Sequence, residues 1–265
     1  MKISHEVPKA LFPMHNLISD YPYVLGHLLS LDKEYAEFYK RKLAESDFSI
    51  LDNSCFELGK SIDLTELKNL AVEYKPRVLV LPDKLHDMEE TLRMSIDFMQ
   101  RYGNKVHGTM NGSTNTYLMG VLQGNNFEEL DRCLEKYVQI GVKYIAIPFD
   151  CIKDSDWHTI RALYWKRLVN TTDFTYPMRG LKFHFLGITN PSELLLYTGE
   201  EKDKIYSIDT SSPIINGWVG NKYGEYGLFA PKPKDKLAEN LDIQLKDSQI
   251  ELIIHNVKKF KEYAR

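Results

Sequence analysis

Three short apolar runs end in a carboxylate: Phe48-Ser49-Ile50-Leu51-Asp52, Arg77-Val78-Leu79-Val80-Leu81-Pro82-Asp83 and Lys204-Ile205-Tyr206-Ser207-Ile208-Asp209. A fourth, Tyr117-Leu118-Met119-Gly120-Val121-Leu122, leads into Gln123-Gly124. Continuous runs of this composition are what strands buried on both faces look like, so the polar groups fall at strand ends. Gathered at one opening, three carboxylates can divide nucleophilic attack, proton transfer and recognition of N–H donors among them. Gln123 adds a donor and an acceptor, and Gly124 lets backbone approach a flat ligand. A single strand-end aspartate most often caps the following helix, but three in separate units favour a shared site. His184 falls in mid-strand and is expected as a satisfied core or second-layer histidine rather than a ligand. His107 and His158 lack partners at metal-binding spacing, so no metal site is expected.

The elements that must carry these residues alternate along the chain. Residues 1–20 read as an irregular lead-in and Tyr23 to Leu29 as the first strand. Leu31, Tyr35 and Phe38 then give a helix its apolar stripe, and strand Phe48 to Leu51 follows. Asp63 with Glu66 forms a capping pair ahead of Leu64, Leu67 and Leu70. After strand Val78 to Leu81, the spacing of Leu85, Met88, Leu92, Ile96 and Met99 predicts a long helix ending at Gly103. Residues 105–116 read as strand plus loop. Leu118 to Leu122, Val142 to Ile147, Lys182 to Ile188 and Ile205 to Ile208 are further strands. Helices marked by Phe127, Leu130 and Leu134, by Trp157, Ile160, Tyr164 and Leu168, and by Asn190-Pro191-Ser192-Glu193 separate them. Residues 211–230 read as a long Gly/aromatic loop with a last strand near Trp218 and Val219, and about 248–263 as a C-terminal helix. The pattern predicts an α/β protein, residues 1–265 forming a single (β/α)8 TIM-type barrel. Its chemistry would lie at the carboxyl ends of the strands. An open doubly wound sheet is the rival, but it concentrates ligands at one switch point, whereas polar strand ends here occur in four units.

The 34 basic and 37 acidic side chains leave a net charge of -3, which argues against a general nucleic-acid coat but leaves room for a local basic patch. Arg161, Lys166, Arg167 and Lys222 are the candidates for such a groove. Cys55, Cys133 and Cys151 are widely spaced, as in a reducing compartment. No signal peptide or bilayer-spanning run is evident, so a cytoplasmic, non-membrane location is expected.

In order, these segments resemble the tRNA-guanine transglycosylase superfamily (queuine and archaeosine tRNA-ribosyltransferases), which exchange guanine for 7-deazaguanines in nucleic acid. Leu51-Asp52-Asn53-Ser54-Cys55-Phe56-Glu57 is similar to that family's Asp-Ser-Gly-Gly-Phe-Gln segment, and Leu81-Pro82-Asp83 falls where it has its base-recognising aspartate. Met119-Gly120-Val121-Leu122-Gln123-Gly124 resembles Gly-Ile-Val-Gln-Gly, and Val142 to Pro148 the strand leading to a backbone contact. Leu186-Gly187-Ile188-Thr189-Asn190-Pro191 resembles Met-Gly-Val-Gly-x-Pro, and Ile208-Asp209-Thr210-Ser211-Ser212-Pro213 the nucleophile segment. The resemblance covers about 50–213. It implies Asp209 as nucleophile, Asp52 as proton-transfer group, and base contacts from Asp83, Gln123, Gly124, Asn53, Ser54, Phe56, Pro148 and Gly187. Tyr117, Met119 or Phe56 would stack on the base. No cofactor is implied.

The Gly-Gly after the first aspartate, the Thr-Arg after the nucleophile and the Cys-x-Cys-x-x-Cys plus His zinc module are all missing from the sequence. These departures point to a divergent branch without a zinc-binding subdomain, partly of phage origin, acting on DNA rather than tRNA. Its other substrate would be a free 7-deazaguanine such as preQ0, in the cytoplasm of an infected cell. A protein partner or homodimer stays open. Two alternatives remain: an N-glycosidase or nucleoside-level base exchanger, and a non-catalytic nucleic-acid-binding protein on a decayed barrel.

Overall fold

In the computed structural model, β1 (Lys2–Ser4) pairs with β8 (Ile205–Asp209). From there the sheet runs through β7 (Lys182–Leu186), β6 (Tyr144–Pro148), β5 (Tyr117–Val121), β4 (Val78–Val80) and β3 (Ile50–Asp52) to β2 (Tyr23–Leu25). The structure describes the chain except residues 107–115, 154–156, 171–179, 229, 231, 232 and 234. Every ladder is parallel. This spatial order never reverses, which excludes the doubly wound rival. Where the ladder stops between β1 and β2, the Asp20 N–H donates to the Ile3 carbonyl at 2.8 Å and the Ser4 hydroxyl to the Tyr21 carbonyl at 2.7 Å. These bonds span the seam of a nearly closed (β/α)8 barrel.

The helices between strands begin where side chains satisfy their free N–H groups. Asp63 Oδ1 accepts from Thr65 and Glu66 N–H at the start of Leu64–Tyr74, and Asn126 Oδ1 accepts from Glu129 N–H at the start of Phe127–Gln139. Each then buries its apolar stripe, Leu67, Leu70 and Ala71 in the first and Leu130, Cys133, Leu134 and Tyr137 in the second. The start end of the barrel is plugged by rings. Phe48 and Tyr206 lie 5.3 Å apart and Tyr117 and Tyr144 5.5 Å apart, with the Lys182 ammonium 4.5 Å from the Tyr206 ring centre. Among the described residues, this leaves the carboxyl-terminal end for a ligand.

Several expectations are corrected. The supposed irregular lead-in contains β1, held by pairing of Ile3 with Ile208. Strand β2 stops at Leu25 because Gly26–Leu31 is helical. Helix Met88–Val106 runs through Gly103, where one glycine costs only about 1 kcal/mol and the buried Val106 follows. Most of the strand and loop expected at 105–116 lies outside the described residues. The expected loop at 211–230 begins with a helix, Ser212–Trp218, whose residues are all buried, so no strand forms at Trp218. Gly217 is there because the helix lies on the C-terminal helix Asp247–Tyr263: a Cβ would sit 2.4 Å from Ile253 Cγ1. Among the described residues, no helix is long and apolar enough to cross a membrane.

Candidate active site

A cavity of about 450 Å³ opens at the carboxyl-terminal end of the barrel, a size typical of small-molecule sites. Asp52, the last residue of β3, Asp83 beyond β4, Gln123 beyond β5, Pro148 at the end of β6, Gly187 after β7 and Asp209 at the end of β8 all line it, with Asn53 and Phe56. The parallel ladders bring residues that are far apart in the chain to the same height. Leu25 pairs with Asp52, and Ser4 with Asp209.

Asp209 is buried, and its Oδ1 accepts from His184 Nε2 at 2.9 Å and from the Gly187 N–H at 2.9 Å. Among the described residues no donor reaches Oδ2, which is therefore free for a ligand. Gly187 aims its N–H this way at φ +66°, a left-handed conformation that glycine adopts without strain. Behind it the buried Arg161 holds the Gly187 carbonyl at 2.8 Å and the Leu186 and Ile147 carbonyls at 2.9 Å, and it pairs with Glu193 at 2.7 Å. The strand ends that frame Asp209 are thus clamped from within the wall.

Asp52 accepts from the Ser54 N–H at 2.7 Å, and Tyr23 lines the same cavity. Burial, followed by the charge of Glu57, pushes the Asp52 carboxyl well above the usual carboxylate value, which favours the protonated form. Asp83 accepts from Asn53 Nδ2 at 2.7 Å and from Gln123 Nε2 at 2.8 Å. Burial raises its pKa while those amide donors pull it down, and the net direction is upward. The His86 N–H donates to Gln123 Oε1 at 2.9 Å, which fixes the amide with one Nε2 hydrogen still free. Each oxygen of Asp83 also keeps a lone pair for a ligand N–H.

Some expected contacts fall elsewhere. Ser54 is outside the lining: its hydroxyl accepts from the His27 N–H at 3.1 Å and its own N–H serves Asp52. Gly124 is also outside, pressed against the next helix, where a Cβ would lie 2.8 Å from Glu129 Cβ. Tyr117 starts β5 at the plugged end and Met119 is fully buried, so of the three stacking candidates only Phe56, 44% exposed and in the lining, stands at the mouth. The four basic side chains that would mark a polynucleotide groove lie in different settings. Arg161 is buried, Arg167 pairs with Asp131 and Lys166 lies 4.0 Å from Glu201, while Lys222 is exposed. His107 and the side chain of His158 lie outside the described residues.

The cavity also holds groups that sequence reasoning missed: Glu6, Tyr23, Glu57 and Lys236. Burial raises Glu57 to about 7, and burial together with the charge of Glu57 raises Glu6 well above the carboxylate range. Glu57 stood inside the segment carrying the resemblance. Glu6 follows a strand too short to leave a periodic signal. Lys236 is the one cation among the described lining residues, against Glu6, Asp52, Glu57, Asp83, Asp150, Asp209 and Asp235. Such a wall suits a ligand rich in N–H donors. Among the described residues, no group of three or more His, Cys, Asp or Glu is placed to hold a metal ion. No protein-family model matches the chain, and comparison with curated proteins finds no match.

Proposed function

We propose that this barrel is a base-exchanging glycosyltransferase that replaces guanine in nucleic acid, DNA rather than tRNA, with a 7-deazaguanine such as preQ0, as the resemblance to the tRNA-guanine transglycosylases implies. One observation carries the reading: Asp209 with a free Oδ2, Asp52 with its carboxyl pKa raised by burial, and the hydrogen-bonded pair Asp83–Gln123 share one cavity.

Asp209 Oδ2 attacks the sugar C1′ as the C1′–N9 bond breaks. The bonding pair leaves with the base, and Asp52 delivers its proton to N9. Guanine leaves neutral and the sugar stays esterified to Asp209. The entering base then loses its N9 proton to the Asp52 carboxylate and attacks C1′, releasing Asp209, so two displacements retain configuration. Asp83 accepts from the ring and amino N–H groups of the base, Gln123 adds a donor, and Phe56 covers one face. A target in duplex DNA must be flipped out to reach this depth.

The acid-rich wall and the internal position of Arg161 favour a second reading, in which a free nucleoside is the substrate. Wild type and Asp209→Asn are to be incubated with guanine-labelled DNA, tRNA and guanosine, with and without preQ0. The proposal expects label release from DNA beyond one equivalent of protein by wild type only, and only when the base is added. Equal release by both proteins overturns the nucleophile assignment, and release from guanosine alone selects the second reading.

A further inference from the structure

We propose that His184 is a positioning residue for the nucleophile: it ties down one oxygen of Asp209 so that the other alone is presented to the sugar. The inference rests on the base-exchange reading and deepens it.

A carboxylate at a strand end can turn about its last side-chain bond, and both oxygens are chemically equivalent until something distinguishes them. Here two N–H donors converge on Oδ1, His184 Nε2 and the Gly187 backbone, each at 2.9 Å. An ionised carboxylate only accepts, so the imidazole proton belongs on Nε2. Ser207 Oγ, 2.9 Å from Nδ1, completes that assignment by donating to the other ring nitrogen.

The ring itself cannot swing. His184 is fully buried, and Tyr23 lies parallel to it at 5.9 Å, 15° from coplanar. The strand alternation explains its direction: Phe183 and Phe185 pack outward on Trp165, at 5.0 and 5.3 Å, which turns His184 into the barrel. Tyr23 also lines the cavity with Asp52, so the ring that flanks His184 belongs to the same site. This is more than a core histidine needs, since the backbone could satisfy its nitrogens.

The test compares His184→Leu, which removes the donor, with His184→Gln, whose Nε2 reaches nearly the same point, and with Ser207→Ala, which frees the ring in a less demanding background. Base-exchange kinetics are measured with melting temperature as the control for folding. His184→Leu is expected to lower kcat roughly 100-fold with KM for the base within about threefold, the scale of a nucleophile misplaced by about 1 Å. His184→Gln should recover most of the lost rate, and Ser207→Ala should fall between. Crystal structures of wild type and His184→Leu should show the Asp209 carboxylate turned off the Gly187 N–H in the variant only. Unchanged kcat in His184→Leu, equal losses in the Leu and Gln variants, or an Asp209 carboxylate that keeps its place without His184 overturns the proposal. A wild type that binds but never exchanges bases overturns the base-exchange reading instead, and the structural comparison still decides whether His184 holds the carboxylate.

Discussion

Glu193→Gln removes the counter-charge of a guanidinium that has no access to water. The Glu193 carboxylate takes Arg161 Nε at 2.7 Å and Nη2 at 2.8 Å, and the Tyr197 hydroxyl at 2.7 Å. Arg161 spends its remaining donors on the carbonyls of Ile147, Leu186 and Gly187, so it cannot withdraw to solvent without opening the ends of β6 and β7. Breaking a buried pair by removing one partner costs about 3–5 kcal/mol, and the amide oxygen kept by glutamine places this case near the lower figure. For a chain of this size that corresponds to a fall in melting temperature of roughly 6–12 °C. Scanning calorimetry at pH 7 reads it directly. Glu90→Gln, which breaks the exposed pair with Arg93, serves as the control and should stay within about 1 °C of wild type. If Glu193→Gln melts within about 2 °C of wild type, Arg161 is not the clamp described. Because Arg161 also holds the residue whose N–H faces Asp209, the same variant should lower kcat more than it raises KM.

Glu57 keeps its proton up to about 7 in the folded chain against an ordinary 4.5, so the stability it contributes is full below about 4.5 and lost as pH rises through 7. Glu57→Gln should remove roughly 2–3 kcal/mol of the stability lost between pH 5 and pH 8 in urea melts; an unchanged pH dependence would contradict this. Gly217→Ala places a Cβ 2.4 Å from Ile253 Cγ1 and 2.7 Å from its Cα, so the two helices must part, at about 3 kcal/mol. Limited proteolysis should then cleave within 247–263 sooner than in wild type, and equal digestion rates would speak against the close helix contact.

The strands that end in Asp52, Asp83, Gln123 and Asp209 were legible because burial on both faces leaves continuous apolar runs, with polarity returning only at the mouth. β1 was not, since Lys2-Ile3-Ser4 has no apolar run and exists through its partner β8. Glu6 was missed with it. Arg161 misled because residue type says nothing about exposure. Its position did carry a signal: Arg161, Tyr164, Trp165 and Leu168 fall at helical spacing and are all buried, while Leu163 between them is 56% exposed. Gly217 was read as loop punctuation, whereas it marks a close helix contact. His184 was placed rightly in the core, but a strand pattern cannot show that Asp209, 25 residues later, lies within reach of its ring.

The central claim is that Asp209 carries the sugar between the leaving and the entering base. Mixing the protein with guanine-containing DNA in the absence of a 7-deazaguanine, denaturing it and mapping the covalent products by mass spectrometry tests this directly. The account predicts an adduct on the peptide containing Asp209, absent from Asp209→Asn and discharged when preQ0 is added before denaturation. Exchange that proceeds with no adduct, or an adduct on a different residue, would contradict it.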